Sequence, residues 1–375
     1  MKTKYVVTSG FLGAGKTTSM IAFAQNINKR KLGTAGILVD DLGANNIVDA
    51  NTTESSGVIT LDISGDCICY QHENLVDKLY QLESLGSNVI FSDIPGLGIG
   101  ALDNVYLQLN EKEPGEFDLM PFLCIIDPER IRMVMPEEAD LNLPNELKFL
   151  LNAQMAEADL IVLNKTDTIS AEKKEEIIRF VKDRYPDTPV LAMSALTGEG
   201  VDEVVDHLLN NEANAVHRDI GYGSEEFIAA ESLLCWYNRR SFFEQREGKN
   251  LDYNQVITDL FEAIRDGLKK AGANVPHLKM FASDGAEQNA DVFKASLIGV
   301  DYDIEYTSKL KSEYTALSLI INARAAADAD VMADIVADAV DSISVKYDLK
   351  VRTYFVESFG MMDEGRGNTG RASKY

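Results

Sequence analysis

Lys4-Tyr5-Val6-Val7-Thr8-Ser9-Gly10-Phe11-Leu12-Gly13-Ala14-Gly15-Lys16-Thr17-Thr18 decides the fold. The apolar run reads as a strand, the glycines as a tight loop, and Lys16–Asn28 as the helix that the loop opens. This is the Walker A arrangement, in which a glycine-rich loop lets backbone N–H groups wrap phosphate oxygens. Gly10, Gly13, Ala14, Gly15, Lys16, Thr17 and Thr18 are therefore the expected phosphate-binding set. Lys16 is expected to reach the β- and γ-phosphates, and Thr17 to offer a hydroxyl to Mg²⁺. A glycine turn with no ligand is the bland alternative, and the strand-loop-helix context argues against it.

Working outward, short apolar strands alternate with amphipathic stretches to about residue 210, the pattern of a parallel sheet covered by helices. The strands are read at Lys4–Gly10, Ala35–Asp40, Val58–Asp62, Asn88–Asp93, Phe122–Asp127, Leu160–Asn164 and Val190–Ser194. Several end in Asp, Asn or Ser. Ligands in open parallel sheets lie at the carboxyl ends of strands, so these polar residues converge on one rim.

Two further segments on that rim have nucleotide chemistry. In Asp93-Ile94-Pro95-Gly96, the acid suits Mg²⁺ through water and the Gly96 N–H suits a γ-phosphate. In Asn164-Lys165-Thr166-Asp167, the Asp167 carboxylate can accept two hydrogen bonds, from guanine N1–H and the 2-amino group. Adenine lacks both donors, and an unpaired buried acceptor is what rejects the wrong base. Ser194-Ala195-Leu196 follows the next strand and is expected to present a backbone N–H to guanine O6. GTP and GDP are thus the expected ligands.

Asp40-Asp41 ends the second strand, where one carboxylate can sense the triphosphate; two acids in a solvated turn is the other reading. Asp41 joins Lys16, Thr17 and Asp93 as the expected catalytic group. Leu97 follows Gly96 where some GTPases carry glutamine, so hydrolysis of GTP to GDP and phosphate is expected to be slow without a partner or dimerisation.

The chain has 375 residues, 60 acidic against 36 basic, for a net charge of -24. That field repels phosphate backbones and anionic membranes, so neither nucleic acid nor membrane is an expected partner. No secretory signal or bilayer-length apolar run is read, and four cysteines are too few for a disulfide framework. A reducing cytoplasm is the expected compartment. Cys124 and Cys235 read as buried apolar residues, whereas Cys67 and Cys69 do not.

The domain reading is a GTPase domain at 1–212, a polar linker at 213–224, an α+β domain at 225–358 and a mobile tail at 359–375. Within the second domain, helices are read at Glu225–Arg246, Tyr253–Ala271 and Asp330–Tyr347. Strands are read at His277–Ala282, Val292–Asp301, Tyr314–Ala323 and Lys350–Ser358. The fold class is α/β: a P-loop NTPase with a mostly parallel sheet, then a smaller α+β domain.

Four segments together resemble the CobW family, related to the nickel-chaperone GTPases and to those servicing cobalamin enzymes. They are Gly10–Thr18, Val39-Asp40-Asp41-Leu42-Gly43, Asp66-Cys67-Ile68-Cys69, and Gln154-Met155-Ala156-Glu157-Ala158-Asp159 running into Asn164–Asp167. The likeness covers about the first 200 residues. It implies GTP hydrolysis coupled to metal or metallocofactor delivery, often with zinc or cobalt, to a client metalloenzyme or its activator. It also implies a metal site at Cys-x-Cys-Cys. Cys67 and Cys69 match its first two positions, Tyr70 stands at the third, and Asp41 stands where the family has glutamate.

Cys67 and Cys69, with His72 on the same turn, form the candidate transition-metal set for Zn²⁺ or Co²⁺, completed in one version by a homodimer. The competing reading is a GTP-gated switch that docks a client, such as a corrinoid-dependent enzyme, and holds no metal of its own.

Overall fold

The computed structural model describes residues 2–41, 53, 56–64, 67–136, 144–284 and 291–360. Leu42, Gly43, Asp66, the Asp41 side chain and the expected tail beyond Gly360 lie outside the described residues. The chain forms two compact units that divide between Ala230 and Glu231. The expected linker residues belong to the first unit by this division. Ala213 donates its N–H to the Leu119 carbonyl at 2.9 Å, and Arg218 bonds Glu157 and Asp159.

The first unit is an all-parallel sheet in the order β3-β2-β4-β1-β6-β7-β8, with β5 also paired to β1. Its strands are β1 (Thr3–Ser9), β2 (Ala35–Asp41), β3 (Ile59–Ser64), β4 (Val89–Asp93), β5 (Phe117–Leu119), β6 (Leu123–Ile126), β7 (Leu160–Leu163) and β8 (Val190–Ala192). The seven strands read from sequence are all present, and β5 is additional. Strands buried on both faces read as continuous apolar runs, as β1, β6 and β7 do.

Helix α1 (Lys16–Arg30) buries Met20, Phe23, Ala24 and Ile27, a 3.6-residue stripe, against the sheet. Met20, Phe23 and Ile27 each contribute about 1.5–3 kcal/mol on burial. The later helices of the unit are α2 (His72–Ser84), α3 (Gln108–Lys112), α4 (Pro128–Arg132), α5 (Asn145–Glu157), α6 (Ala171–Arg184) and α7 (Val201–Asn210). A π-helical stretch, Leu102–Leu107, leads into α3. Helix α7 shares the α1 core through Val201, Val204, Val205 and Leu208.

The second unit is a six-stranded antiparallel sheet, ordered β12-β11-β10-β13-β9-β14. Its strands are β9 (Cys235–Gln245), β10 (Asn274–Ser283), β11 (Val292–Leu297), β12 (Glu305–Ser308), β13 (Ala316–Ala326) and β14 (Leu349–Gly360). Helices α9 (Tyr253–Lys270) and α10 (Ala329–Lys346) share a core with it, α9 through Val256, Ile257, Leu260, Phe261 and Ile264.

The expected helix Glu225–Arg246 is corrected. Helix α8 (Glu225–Ser232) ends well short of Arg246, and Cys235–Gln245 is strand β9, between β13 and β14. The aromatic density that mimicked a helical stripe is a strand with both faces occupied. Cys235, Tyr237 and Phe243 face the α9–α10 core, while Trp236 stacks on Phe359 at 6.1 Å. Trp, Tyr and Phe favour this pleated setting over a helix. Among the described residues no helix is long and apolar enough to cross a membrane.

Candidate nucleotide site and cysteine turn

Gly10, Gly13 and Gly15 take φ values of 136°, 86° and 94°, open to glycine and strained for other residues. A Cβ on Gly10 would stand 2.2 Å from the Ile125 carbonyl oxygen. Lys16 Nζ donates to the Gly10 carbonyl at 2.9 Å, so the lysine curls back over the loop. Helix α1 begins at Lys16 with no side-chain cap and no acid in its first turn. An uncapped helix N-terminus offers its first N–H groups and its positive dipole end to an anion, which fits a phosphate chain. Thr17 is buried on that first turn.

Asn164 joins two loops. Its Nδ2 donates to the Ala14 carbonyl at 3.0 Å, and its Oδ1 accepts the Ala195 N–H at 3.0 Å. The phosphate loop and the turn after β8 are thereby held by one buried amide. Lys165 follows with φ 60°, and Asp167 lies exposed on the short turn Thr166–Thr168. Ser194 is buried and its Oγ accepts from the Thr197 N–H, whereas Leu196 is 67% exposed.

On the opposite side of the rim, Asp93 is buried and its Oδ1 accepts the Asp40 N–H at 3.2 Å. Asp40 Oδ2 in turn accepts the Ile68 N–H at 3.0 Å. Ile68 lies between the two cysteines on the 3₁₀ turn Ile68–Tyr70. Asp93 and the cysteine turn are thus two hydrogen bonds apart.

The expectation that Cys67 and Cys69 are not buried is corrected: all four cysteines are buried. Cys67 caps the turn, its Sγ accepting the Cys69 N–H at 3.4 Å, which draws the thiol inward. Tyr70 pairs hydroxyls with Tyr222 at 2.6 Å. His72 opens α2 with Nε2 3.8 Å from Glu113 Oε1. Among the described residues no group of three or more His, Cys, Asp or Glu is placed to hold a metal ion. His72 therefore does not complete a described set with Cys67 and Cys69, because it starts a new helix facing Glu113.

Three residues that sequence reasoning gave no role support the site. Arg130, buried on α4, donates from Nε to the Leu12 carbonyl at 3.1 Å and lies over the Phe11 ring. Gln154 donates to the carbonyls of Gly96 and Gly98, both at 3.1 Å. Glu157 accepts the N–H groups of Gly100 and Leu102 at 3.0 and 2.7 Å. Pro128-Glu129-Arg130 after an Asp cap signals a helix start, but nothing local signals its tertiary partner.

The fold and the phosphate-loop geometry define a P-loop nucleotide-binding protein. The model of the family described as "CobW/HypB/UreG, nucleotide-binding domain" matches residues 4–192, just over half of the chain, and the chain belongs to that family. Zinc chaperone CobW of Sinorhizobium sp is 24% identical over 298 residues, 74% of this chain and 77% of that protein. Zinc chaperone YeiR of Escherichia coli (strain K12) is 28% identical over 187 residues, 48% of this chain and 51% of that protein. The chain thus spans about half the length of the second relative. Among solved structures, Zn(II)-bound YjiA GTPase from E. coli is similar at 14% identity and a TM-score of 0.36, covering 92% of this chain and 99% of that one.

Proposed function

We propose that the chain is a GTP-hydrolysing metallochaperone that carries Zn²⁺ or Co²⁺ on the Cys67–Cys69 turn and delivers it to a client metalloenzyme or its activator. The observation that carries the reading is the two-bond path from Asp93 through Asp40 to Ile68. In this reading Thr17 and Asp93 hold the Mg²⁺ of the nucleotide, and Asp41 approaches it. Lys16 neutralises the β- and γ-phosphates while Gly96 meets the γ-phosphate. Loss of the γ-phosphate then alters the Asp93–Asp40 pair and with it the geometry of the thiols.

Asp167 accepts from guanine, with Asn164 and Lys165 shaping the pocket. Ala195 already gives its N–H to Asn164, so Leu196 is the residue on that turn whose N–H serves guanine O6. Two thiols fall short of the three or four ligands of a resident zinc site. A second copy of the chain or the client supplies the rest, which suits a cargo that must leave. Turnover is slow alone, since Leu97 stands where a water-orienting glutamine would.

Tyr70, at the third position of the Cys-x-Cys-Cys pattern, favours a second reading, a GTP-gated switch that docks its client without metal. Competition of GTP and ATP against a fluorescent GDP, with Mg²⁺ and phosphate release followed in parallel, tests the shared foundation. Displacement by GTP and slow phosphate release are expected; displacement by ATP at equal concentration overturns the guanine reading. Nucleotide-independent client capture would count against both readings.

A further inference from the structure

The last turn of α5 grips the loop that follows Asp93. Gln154, fully buried, holds the carbonyls of Gly96 and Gly98 through Nε2. Three residues on, Glu157 holds the N–H groups of Gly100 and Leu102, one on each carboxylate oxygen. Four backbone groups of the Gly96–Leu102 segment are therefore fastened by two side chains of one helix turn. The segment also touches the phosphate loop, since a Cβ on Gly96 would stand 2.8 Å from the Leu12 nitrogen. Behind it, Arg218 bonds the Glu157 carbonyl and the Asp159 carboxylate, fixing the helix end.

We propose that Glu157 is a positioning residue for GTP, its ionised carboxylate clamping Gly96–Leu102 in the arrangement that receives the γ-phosphate. The proposal rests on the reading above that Gly96 meets that phosphate. An ionised carboxylate offers a strong acceptor to each N–H group; the neutral acid keeps one carbonyl acceptor, and its hydroxyl oxygen is a weaker one. GDP has no γ-phosphate to be received, so its binding does not depend on the clamp.

The carboxyl lies where protons matter. Burial pushes Glu157 up to about 7, against the lowering effect of its two backbone hydrogen bonds; Asp103 adds to the rise and Arg218 opposes it. Asp103 itself pairs with the His217 ring at 2.6 Å, and the Cys124 thiol lies close enough to feel the Glu157 charge. A group titrating near 7 is about nine-tenths ionised at pH 8 and about one-tenth at pH 6. Apparent affinity scales with the competent fraction, so GTP binding changes up to about tenfold over that range.

The test is equilibrium binding of the full chain to Mg²⁺ with a non-hydrolysable GTP analogue and, separately, with GDP, at pH 6, 7 and 8. In the wild type the analogue-to-GDP affinity ratio is expected to fall about tenfold from pH 8 to pH 6. Glu157→Gln keeps the ligands' own titration but not the carboxylate's. It is expected to start low at pH 8, lose the wild-type slope and bind GDP within about twofold of wild type.

His217→Gln separates the exposed histidine that pairs with Asp103, and is expected to keep the slope. A wild-type ratio that does not move with pH, a measurement that needs no variant to fold, overturns the proposal. A full slope in Glu157→Gln, or its loss only in His217→Gln, does the same. Failure of the wild type to bind either guanine nucleotide at pH 8 would instead remove the GTP reading itself.

Discussion

Asn164→Ala removes one side chain and disconnects two loops. The amide is 2% exposed and makes two hydrogen bonds, to the Ala14 carbonyl and from the Ala195 N–H, both at 3.0 Å. The variant leaves those two backbone groups without that partner, and a buried group stranded this way costs about 1–3 kcal/mol. Some water entry offsets this, so the sum is about 2–4 kcal/mol. If the bound state needs both loops in place, that is roughly 30-fold to 1,000-fold in nucleotide affinity.

GDP and a GTP analogue should weaken alike, because neither hydrogen bond involves the γ-phosphate. Asn164→Asp preserves size and the acceptor for Ala195, but sets an oxygen against the Ala14 carbonyl. It should therefore bind no better than the alanine variant. Gly15→Ala reaches the same bond from the other side: its Cβ would stand 2.5 Å from Asn164 Nδ2, at a φ of 94°. Fluorescent-GDP titration reads all three. Asn164→Ala binding within about threefold of wild type, or full recovery in Asn164→Asp, would refute the reasoning.

Asp167→Asn replaces the double acceptor with a donor and an acceptor, so guanine should lose about tenfold or more in affinity while xanthine nucleotides gain, read by competition binding. Glu157 makes stability pH-dependent. Its folded value, about 7, lies above its ordinary 4.5, so the contribution is full below about 4.5 and lost as pH rises through 7. Denaturant unfolding should accordingly show the stability gap between wild type and Glu157→Gln shifting in favour of the variant from pH 5 to pH 8, by at most about 3 kcal/mol. Leu260→Ala hollows the core of the second unit and should cost about 2–5 kcal/mol by the same measurement.

The phosphate loop was legible because its chemistry is local: glycines at left-handed φ, a lysine and a threonine at set spacing after an apolar strand. The parallel strands were legible because burial on both faces leaves continuous apolar runs. Strand β9 was not, since Trp236, Tyr237, Phe242 and Phe243 fit a helical stripe equally well until their partners β13 and β14 are known.

Cys67 and Cys69 read as ligands by spacing, yet their burial follows from a turn that folds Cys67 onto Cys69. Gln154 stood in view within the family-like segment, but its grip on Gly96 spans 58 residues and leaves no local periodicity. Arg130 is hidden for the same reason, 118 residues from Leu12.

The most direct measurement of the central claim is an equilibrium titration of Zn²⁺ and Co²⁺ into the reduced full chain, with Mg²⁺ and either a GTP analogue or GDP. Binding that differs between the nucleotides and disappears in the Cys67→Ser, Cys69→Ser double variant is the expected result. Equal binding in both states, or binding unchanged in the double variant, would contradict a nucleotide-gated metal carrier on this turn.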